Sequence, residues 1–272
     1  MHPVVEFSIG EWHAAISSYR LMLLVALVLT IAVTFLVAGH MGIRRTRLAF
    51  VLAIAGAGAI AGARLLAVVT TRSDGQDLAE RLRHLAAGDF ALYGGLIGGG
   101  LVGLAACRLI GLNPLRTADA LAPAIGIGIV SMRVGCLLAG CCFGNPTSLP
   151  WGITYPNGSP AHLDQILSGD SLFAALDGPQ PVHPIPIYDM GAALVGALIA
   201  GFAIRRGWRQ GTAMAVFVVW YSAWRLLLRP LRADIGASVM PGWFWPATFL
   251  GAFLAAGLWL VMRRPTPLPA FS

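Results

Sequence analysis

The sequence predicts an all-α polytopic membrane protein with about seven transmembrane helices and an ordered extracytoplasmic loop region. Hydrophobic residues make up 57% of the 272 residues and charged residues only 11%, whereas a soluble globular domain has about 25% charged residues. Long apolar runs recur along the chain, and a helix satisfies its backbone polar groups internally, as a bilayer requires. These two observations exclude an ordinary soluble enzyme, a disordered chain and a fibrous protein.

Seven apolar runs approach the roughly 20 residues that a helix needs to cross a bilayer. They cover residues 21–38, 48–70, 92–110, 121–138, 187–204, 212–228 and 244–262. The third run contains the glycine-rich sequence GGLIGGG, and glycine is tolerated in membrane helices because it lets two helices approach closely. Residues 1–272 are interpreted as a single transmembrane domain, in which residues 139–186 form an extracytoplasmic loop or cap.

The positions of the arginines predict the orientation of the spans, because basic residues accumulate in cytoplasmic loops. Arginine-rich segments follow the first, fifth and seventh runs, whereas the 139–186 loop contains no Arg or Lys. We therefore expect the N-terminus outside and the C-terminus in the cytoplasm. The first 20 residues lack a basic segment and do not resemble a cleaved signal peptide. The net charge of +7 is explained by these loops, so no nucleic-acid partner is expected.

Three arginines away from the ends of predicted spans stand out as candidates: Arg64, Arg133 and Arg225. A charge in the bilayer interior normally faces a cavity or a partner. Guanidinium groups bind phosphate through paired hydrogen bonds, so three of them could form a site for an anionic lipid headgroup. The alternative is structural: each arginine could pair with Asp119, Asp189 or a helix-end carbonyl.

Several residues near the same levels could take part in proton transfer or binding. Tyr19, Tyr93, Tyr188 and Tyr221 can each act as interfacial anchors, but Tyr221 and Arg225 are four residues apart and share one helix face. His183, in PVHPIPIYDM, is of the type best suited to move a proton near neutral pH, or it is structural.

Three of the four cysteines form a C-x4-CC pattern at the end of the fourth run: Cys136, Cys141 and Cys142. This spacing allows a disulfide, small buried side chains, a catalytic thiol or a metal site. Since no second Cys or His pair follows at zinc spacing, we expect buried or disulfide-linked cysteines and no metal or other cofactor.

Six segments, taken in order, resemble the bacterial phosphatidylglycerol–prolipoprotein diacylglyceryl transferases. The resemblance runs from about residue 7 to the end of the seventh run. Its segments are SYRLMLLVA, AGARLL, YGGLIGGG, ADALAPAIGIGIVSMRVGCLLAGCCFGNP, VHPIPIYD and VWYSAWRLLLRPLRAD.

The resemblance implies seven spans in the bacterial inner membrane. It also implies transfer of the diacylglyceryl group of phosphatidylglycerol to the lipobox cysteine of preprolipoproteins, with release of glycerol 1-phosphate. By their motif positions, the implied catalytic residues are Tyr93, His183, Tyr221 and Arg225. The implied lipid- and phosphate-binding residues are Tyr19, Arg64, Gly94, Gly95, Arg133, Gly144 and Arg225.

The sequence departs from the family pattern at several positions. Tyr93 stands at the motif histidine, Cys136 and Ala139 stand at signature asparagines, and Cys141 stands at an acidic position. His183 is therefore the first candidate for the base. Two alternative functions remain: a paralogue that transfers a lipid group to another acceptor, and a non-catalytic lipid-binding or transport protein.

Overall fold

The computed structural model describes residues 4–9, 12–70, 92–168, 178–233 and 244–262. Every predicted apolar run contains an α-helix, which confirms the polytopic helical fold. The helices, numbered α1 to α8, are Ser18–His40, Arg45–Thr70, Leu92–Ile110, Pro114–Ala139, Pro160–Ser168, Ile185–Arg205, Thr212–Leu227 and Phe244–Met262. A short 3₁₀ helix, Arg229–Leu231, follows α7.

Five of these helices, α1 to α4 and α6, are long and apolar enough to cross a membrane. The apolar stretches Thr212–Leu227 and Pro246–Met262 are shorter. The seven predicted runs are therefore all helical, and their lengths divide them into five full candidate spans and two shorter apolar helices.

A two-stranded antiparallel hairpin precedes α1, and the sequence analysis made no prediction for it. β1 (Val4–Ile9) pairs with β2 (Trp12–Ser17), with Val4 opposite Ser17 and Ile9 opposite Trp12. Both strands contain the β-branched and aromatic residues that favour extended backbone. β2 continues directly into α1, so the hairpin adds to the helical fold without changing it.

The chain divides into two compact units, Met1–Thr34 with Leu121–Ser272, and Phe35–Ala120. In the first unit, α7 packs against both α6 and α8. Small residues allow α4 to approach α6 closely. A Cβ added at Gly126 would lie 2.7 Å from the carbonyl oxygen of Ala193. Trp220 Nε1 donates a 2.8 Å hydrogen bond to the Ala192 carbonyl, so α7 is also tied to the backbone of α6.

In the second unit, α2 and α3 pack through their glycines. A Cβ added at Gly62 would collide with the backbone of Gly94, and one added at Gly94 would collide with Gly62. A Cβ at Gly98 would likewise collide with Gly58. This contact explains why the glycine-rich third run is a helix: its glycines lie where two backbones meet.

The predicted 139–186 loop contains short elements. α5 lies within it, and isolated bridges join Pro146 and Ile153 to Val182. Phe143, Tyr155, Ala161 and Val182 form a small buried cluster. Residues 169–177 of this predicted loop lie outside the described residues, as do Arg263 and Arg264 of the predicted cytoplasmic tail.

Candidate functional site

A fully buried carboxylate joins two of the arginines that lie within helices. Asp189 is in the second turn of α6, and its Oδ2 accepts a hydrogen bond from Arg225 Nη1 at 2.7 Å. Arg133 Nη2 lies 3.0 Å from the same oxygen. The side chain of Asp189 is 0% exposed, and those of Arg133 and Arg225 are 10% and 13% exposed. Both arginines therefore form an ion pair with Asp189, as the structural hypothesis from the sequence proposed.

The ion pairs leave several buried polar atoms without hydrogen-bond partners among the described residues. They include Arg133 Nε, Asp189 Oδ1 and Arg232 Nη1. Arg232 is part of the same electrostatic cluster: burial lowers its pKa, and so does the neighbouring charge of Arg225. Three guanidinium groups and one carboxylate sum to +2. A buried site with excess positive charge and unused N–H donors has the chemistry to hold an anion.

Two aromatic residues hold this cluster in place. Tyr221, one helical turn before Arg225, stacks on Phe217 with ring centroids 6.0 Å apart, and its hydroxyl lies near the charges of Arg133 and Asp189. The guanidinium carbon of Arg225 lies 5.2 Å from the ring centre of Phe249 in α8. These contacts limit the rotamers of both arginines and so orient their donors.

The segment after α4 runs between two other parts of the first unit. Gly144 N donates to the His183 carbonyl at 3.0 Å, and on its other side Gly144 forms an antiparallel bridge with Arg232. Asn145 N donates to the Leu231 carbonyl at 2.9 Å. A Cβ at Gly144 would lie 2.6 Å from the Cβ of His183, so this close three-segment packing requires glycine.

His183 is part of a small chain of polar side chains at the start of α6. Its Nδ1 lies 3.4 Å from the hydroxyl of Tyr188, and Trp151 Nε1 donates to that hydroxyl at 2.8 Å. The imidazole is half-buried. The backbones of His183 and Arg232 thus both pair with Gly144, so the candidate base and the arginine cluster are joined through one glycine.

Three thiols converge next to the arginines. The Sγ atoms of Cys136, Cys141 and Cys142 all lie within 4.8 Å of one another, and Arg133 Nη1 lies 3.8 Å from Cys136 Sγ. All three are free thiols. Hydrogen bonds from Cys136 and Cys141 lower the pKa of Cys142, and the charges of Arg133 and Arg232 act in the same direction.

Tyr155 lies against this cysteine cluster. Burial raises the pKa of Tyr155 to about 12, and the three thiols add to the shift. Its hydroxyl is buried and has no hydrogen-bond partner among the described residues. Its ring packs on Gly140, where an added Cβ would lie 3.2 Å from Tyr155 Cδ1.

The structure brings together part of the predicted site. Arg133, Tyr221 and Arg225 meet at Asp189, and Tyr19 lies near Arg133 and the cysteines. The remaining predicted residues, Arg64, Tyr93, Gly94 and Gly95, belong to the second unit. There Gly94 lies in the α2–α3 contact, and Gly95 faces Ala59 and Ala63.

Sequence reasoning missed two residues of the cluster as functional positions. Asp189 entered only as a possible counter-ion and as part of the family segment, and Arg232, at the outer end of the sixth run, was given no role. Two signals were available in the sequence. Asp189 is an acidic residue in an apolar run, and Arg232 is the third arginine within eight residues that begin at Arg225.

Comparison with known proteins supports the resemblance. A family model described as "Prolipoprotein diacylglyceryl transferase" matches residues 5–263. The chain belongs to the prolipoprotein diacylglyceryl transferase family.

Several similar proteins carry the name phosphatidylglycerol–prolipoprotein diacylglyceryl transferase. The protein from Leifsonia xyli subsp. xyli is 32% identical over 216 residues, which cover 75% of this chain and 61% of that relative. The protein from Clostridium tetani is 29% identical over 182 residues, covering 65% of each chain. A second such transferase of Clostridium perfringens is 30% identical over 200 residues, covering 73% of this chain and 71% of that relative. The chain thus spans somewhat less than two thirds of the length of the first two.

Proposed function

We propose that this protein transfers the diacylglyceryl group of phosphatidylglycerol to the thiol of the lipobox cysteine of preprolipoproteins, releasing glycerol 1-phosphate. Family membership and the names of the relatives support this reaction class. The single observation that carries the proposal is the buried cluster around Asp189, whose net charge is +2 and whose arginines retain unused donors. A phosphodiester is an anion that fits such a site.

In this proposal Arg133 and Arg225 hold the phosphate and stabilise the transition state. When the thiolate attacks the diacylglyceryl carbon, the carbon–oxygen bond breaks and the phosphate gains a second negative charge. Donors fixed before the reaction bind that charge more strongly than they bind the substrate. Loss of one such donor typically lowers kcat by about 10² to 10³. Asp189 positions both arginines, and Tyr221 positions Arg133.

The remaining assignments are also proposals. His183 accepts the proton of the acceptor thiol, because its imidazole is half-buried and is oriented through Tyr188. Tyr19 and Gly144 line the headgroup site. In the other unit, Arg64, Tyr93, Gly94 and Gly95 contribute to lipid binding, and Tyr93 also assists proton transfer.

The reaction takes place in the bacterial inner membrane, with the N-terminus outside and the C-terminus in the cytoplasm. The arginine-rich segments after α1 and α6 support this orientation.

A transfer assay tests the proposed function. The detergent-purified protein is mixed with phosphatidylglycerol and a lipobox peptide containing one cysteine, and mass spectrometry measures peptide that has gained a diacylglyceryl group. We expect product with this peptide and none with its Cys-to-Ala counterpart. A folded protein that makes no product, beside an active control enzyme, would contradict the proposal and favour another acceptor or lipid binding alone.

Arginine variants test the phosphate site in the same assay. Arg133→Ala and Arg225→Ala should each lower kcat by at least about 10²-fold. Arg206→Ala is the matched control, because Arg206 is exposed beyond the far end of α6 and contacts Phe202. Arg225→Lys keeps the charge but loses the paired donors, so it separates charge from geometry. Near-normal turnover in both alanine variants would refute the phosphate site.

A further inference from the structure

We propose that Cys136, Cys141 and Cys142 bind one zinc ion, and that the open fourth position of this ion binds and activates the acceptor thiol. The inference rests on the proposed function for its second half only. Metal binding itself follows from the geometry of the three cysteines. The sequence disfavoured a metal site because no second Cys or His pair follows the cysteines at zinc spacing. In the structure, however, the three cysteines of one short segment bring their Sγ atoms together.

The distances fit three zinc–sulfur bonds. Such bonds are about 2.3 Å long, so two sulfurs of a tetrahedral site lie about 3.8 Å apart. The three Sγ atoms already lie within 4.8 Å of one another. Each sulfur–sulfur distance therefore has to shorten by about 1 Å or less, which rotation of side chains can supply.

The backbone explains how two consecutive cysteines reach the same point. In an extended chain, neighbouring side chains point to opposite sides. Here Gly140 has φ 69° and Cys142 has φ 58°, so the chain turns through two left-handed residues directly after α4. A non-glycine residue in this region is held at a cost of about 1 kcal/mol or more. The result is that Cys141 and Cys142 both meet Cys136, near the end of the helix.

The surrounding charges suit a zinc–thiolate centre. Three thiolates and one Zn²⁺ carry a net charge of −1, and Arg133 donates to Cys136 Sγ across 3.8 Å. Added to the +2 of the arginine cluster, this leaves +1 before the acceptor thiol binds, which matches the single negative charge of a phosphodiester. The arginines therefore both balance the thiolates and retain charge for the lipid.

Three protein ligands leave one zinc position free, as in catalytic zinc sites. Cys136 is buried, whereas Cys141 and Cys142 are half-buried, so the centre has an accessible side. A thiol that binds Zn²⁺ gives up its proton, here to the proposed base His183, and becomes a thiolate. Its sulfur attacks the diacylglyceryl carbon. A carbon–sulfur bond forms, the carbon–oxygen bond breaks, and the electron pair remains on the phosphate oxygen of the glycerol phosphate.

Metal binding is tested without any activity measurement. Protein purified under anaerobic conditions and without a polyhistidine tag should contain about one zinc per chain. Replacement by Co²⁺ should give a sulfur-to-cobalt charge-transfer band, which falls by about one third in Cys141→Ser or Cys142→Ser because one of three thiolates is lost. Cys107→Ala is the matched control, since Cys107 is buried with Val51 and Ala106 in the other unit, and it should keep the full band.

Activation of the acceptor is tested on the same cobalt protein. A lipobox peptide should increase the charge-transfer band by about one third as a fourth sulfur binds, and a Cys-to-Ser peptide should not. Chelation of zinc should lower kcat/KM by about 10² to 10⁴, the range of a lost general base, and added Zn²⁺ should restore it.

Three outcomes would overturn the inference. Protein that lacks metal and takes up no cobalt has no such site. A disulfide between any two of the three cysteines, found by alkylating intact cells before lysis, shows that the thiols are oxidised in their native compartment. A cobalt band that does not respond to the peptide, in protein that still transfers lipid, refutes acceptor activation while the proposed function stands.

Discussion

Replacing Asp189 by asparagine removes the only carboxylate that forms an ion pair with Arg133 or Arg225 among the described residues. The asparagine side chain has nearly the same shape as that of aspartate, so the substitution removes the charge with little change in packing. Both guanidinium nitrogens lie within 3.0 Å of one carboxylate oxygen. They are therefore at most about 6 Å apart, and their repulsion at an effective dielectric constant of about 20 is roughly 3 kcal/mol.

This repulsion agrees with the loss of about 3–5 kcal/mol that follows removal of one partner from a buried ion pair. For a chain of this size, each kcal/mol corresponds to roughly 2–4 °C in Tm. We therefore expect Asp189→Asn to melt about 6–20 °C below the original protein in detergent. The eight tryptophans provide the fluorescence signal. Glycerol phosphate should stabilise the variant more than the original protein, because the variant has one more uncompensated positive charge.

Asp164→Asn is the matched control for the loss of a carboxylate. Burial raises the pKa of Asp164, so the folded state disfavours its charged form. A neutral amide at this position should therefore not lower Tm. If Asp189→Asn melted like the original protein, or if both variants lost the same stability, the argument that Asp189 holds two arginines by its charge would fail.

Two further predictions concern packing and burial. Gly62→Ala should lower stability by about 1–3 kcal/mol, because its Cβ meets the backbone of Gly94, whereas Gly100→Ala, with open space around it, should raise stability by up to about 1 kcal/mol. Equal effects in denaturant unfolding would contradict the glycine contact. In Tyr155 the folded pKa of about 12 exceeds the unfolded value of about 10, so its contribution to stability is complete below pH 10 and is lost as pH rises toward 12. Between pH 9 and 11 the original protein should therefore lose about 1.4 kcal/mol more than Tyr155→Phe, and parallel pH profiles would show that Tyr155 is not buried as described.

The membrane-spanning helices could be predicted from the sequence because the bilayer imposes both their length and their composition. Even the glycine-rich α3 was predicted, since glycine in a membrane helix indicates a close contact, and Gly62 and Gly94 form one. The N-terminal hairpin was not predicted: its strands have only six residues each, too few for a strong period-two pattern.

The site was predicted in part for a different reason. Arg133 and Arg225 were found because a charge in an apolar helix is costly and therefore noticeable. Which carboxylate meets them depends on how α4, α6 and α7 pack, and spacing along the chain carries no such information. The convergence of the cysteines depends on the left-handed backbone at Cys142, a conformation that no residue type at this position signals.

The excess positive charge of the Asp189 cluster indicates that the cluster binds a ligand in addition to stabilising the fold. A buried ion pair that is only structural is least costly when the charges are equal and every donor is satisfied, because each unpaired buried charge carries a desolvation penalty. Here two arginines share one carboxylate, a third arginine lies in the same electrostatic cluster, and donors of Arg133 and Arg232 are unused. A bound anion would offset that penalty, so binding and folding are thermodynamically linked, and the lipid that the site is built to hold also stabilises the protein that holds it.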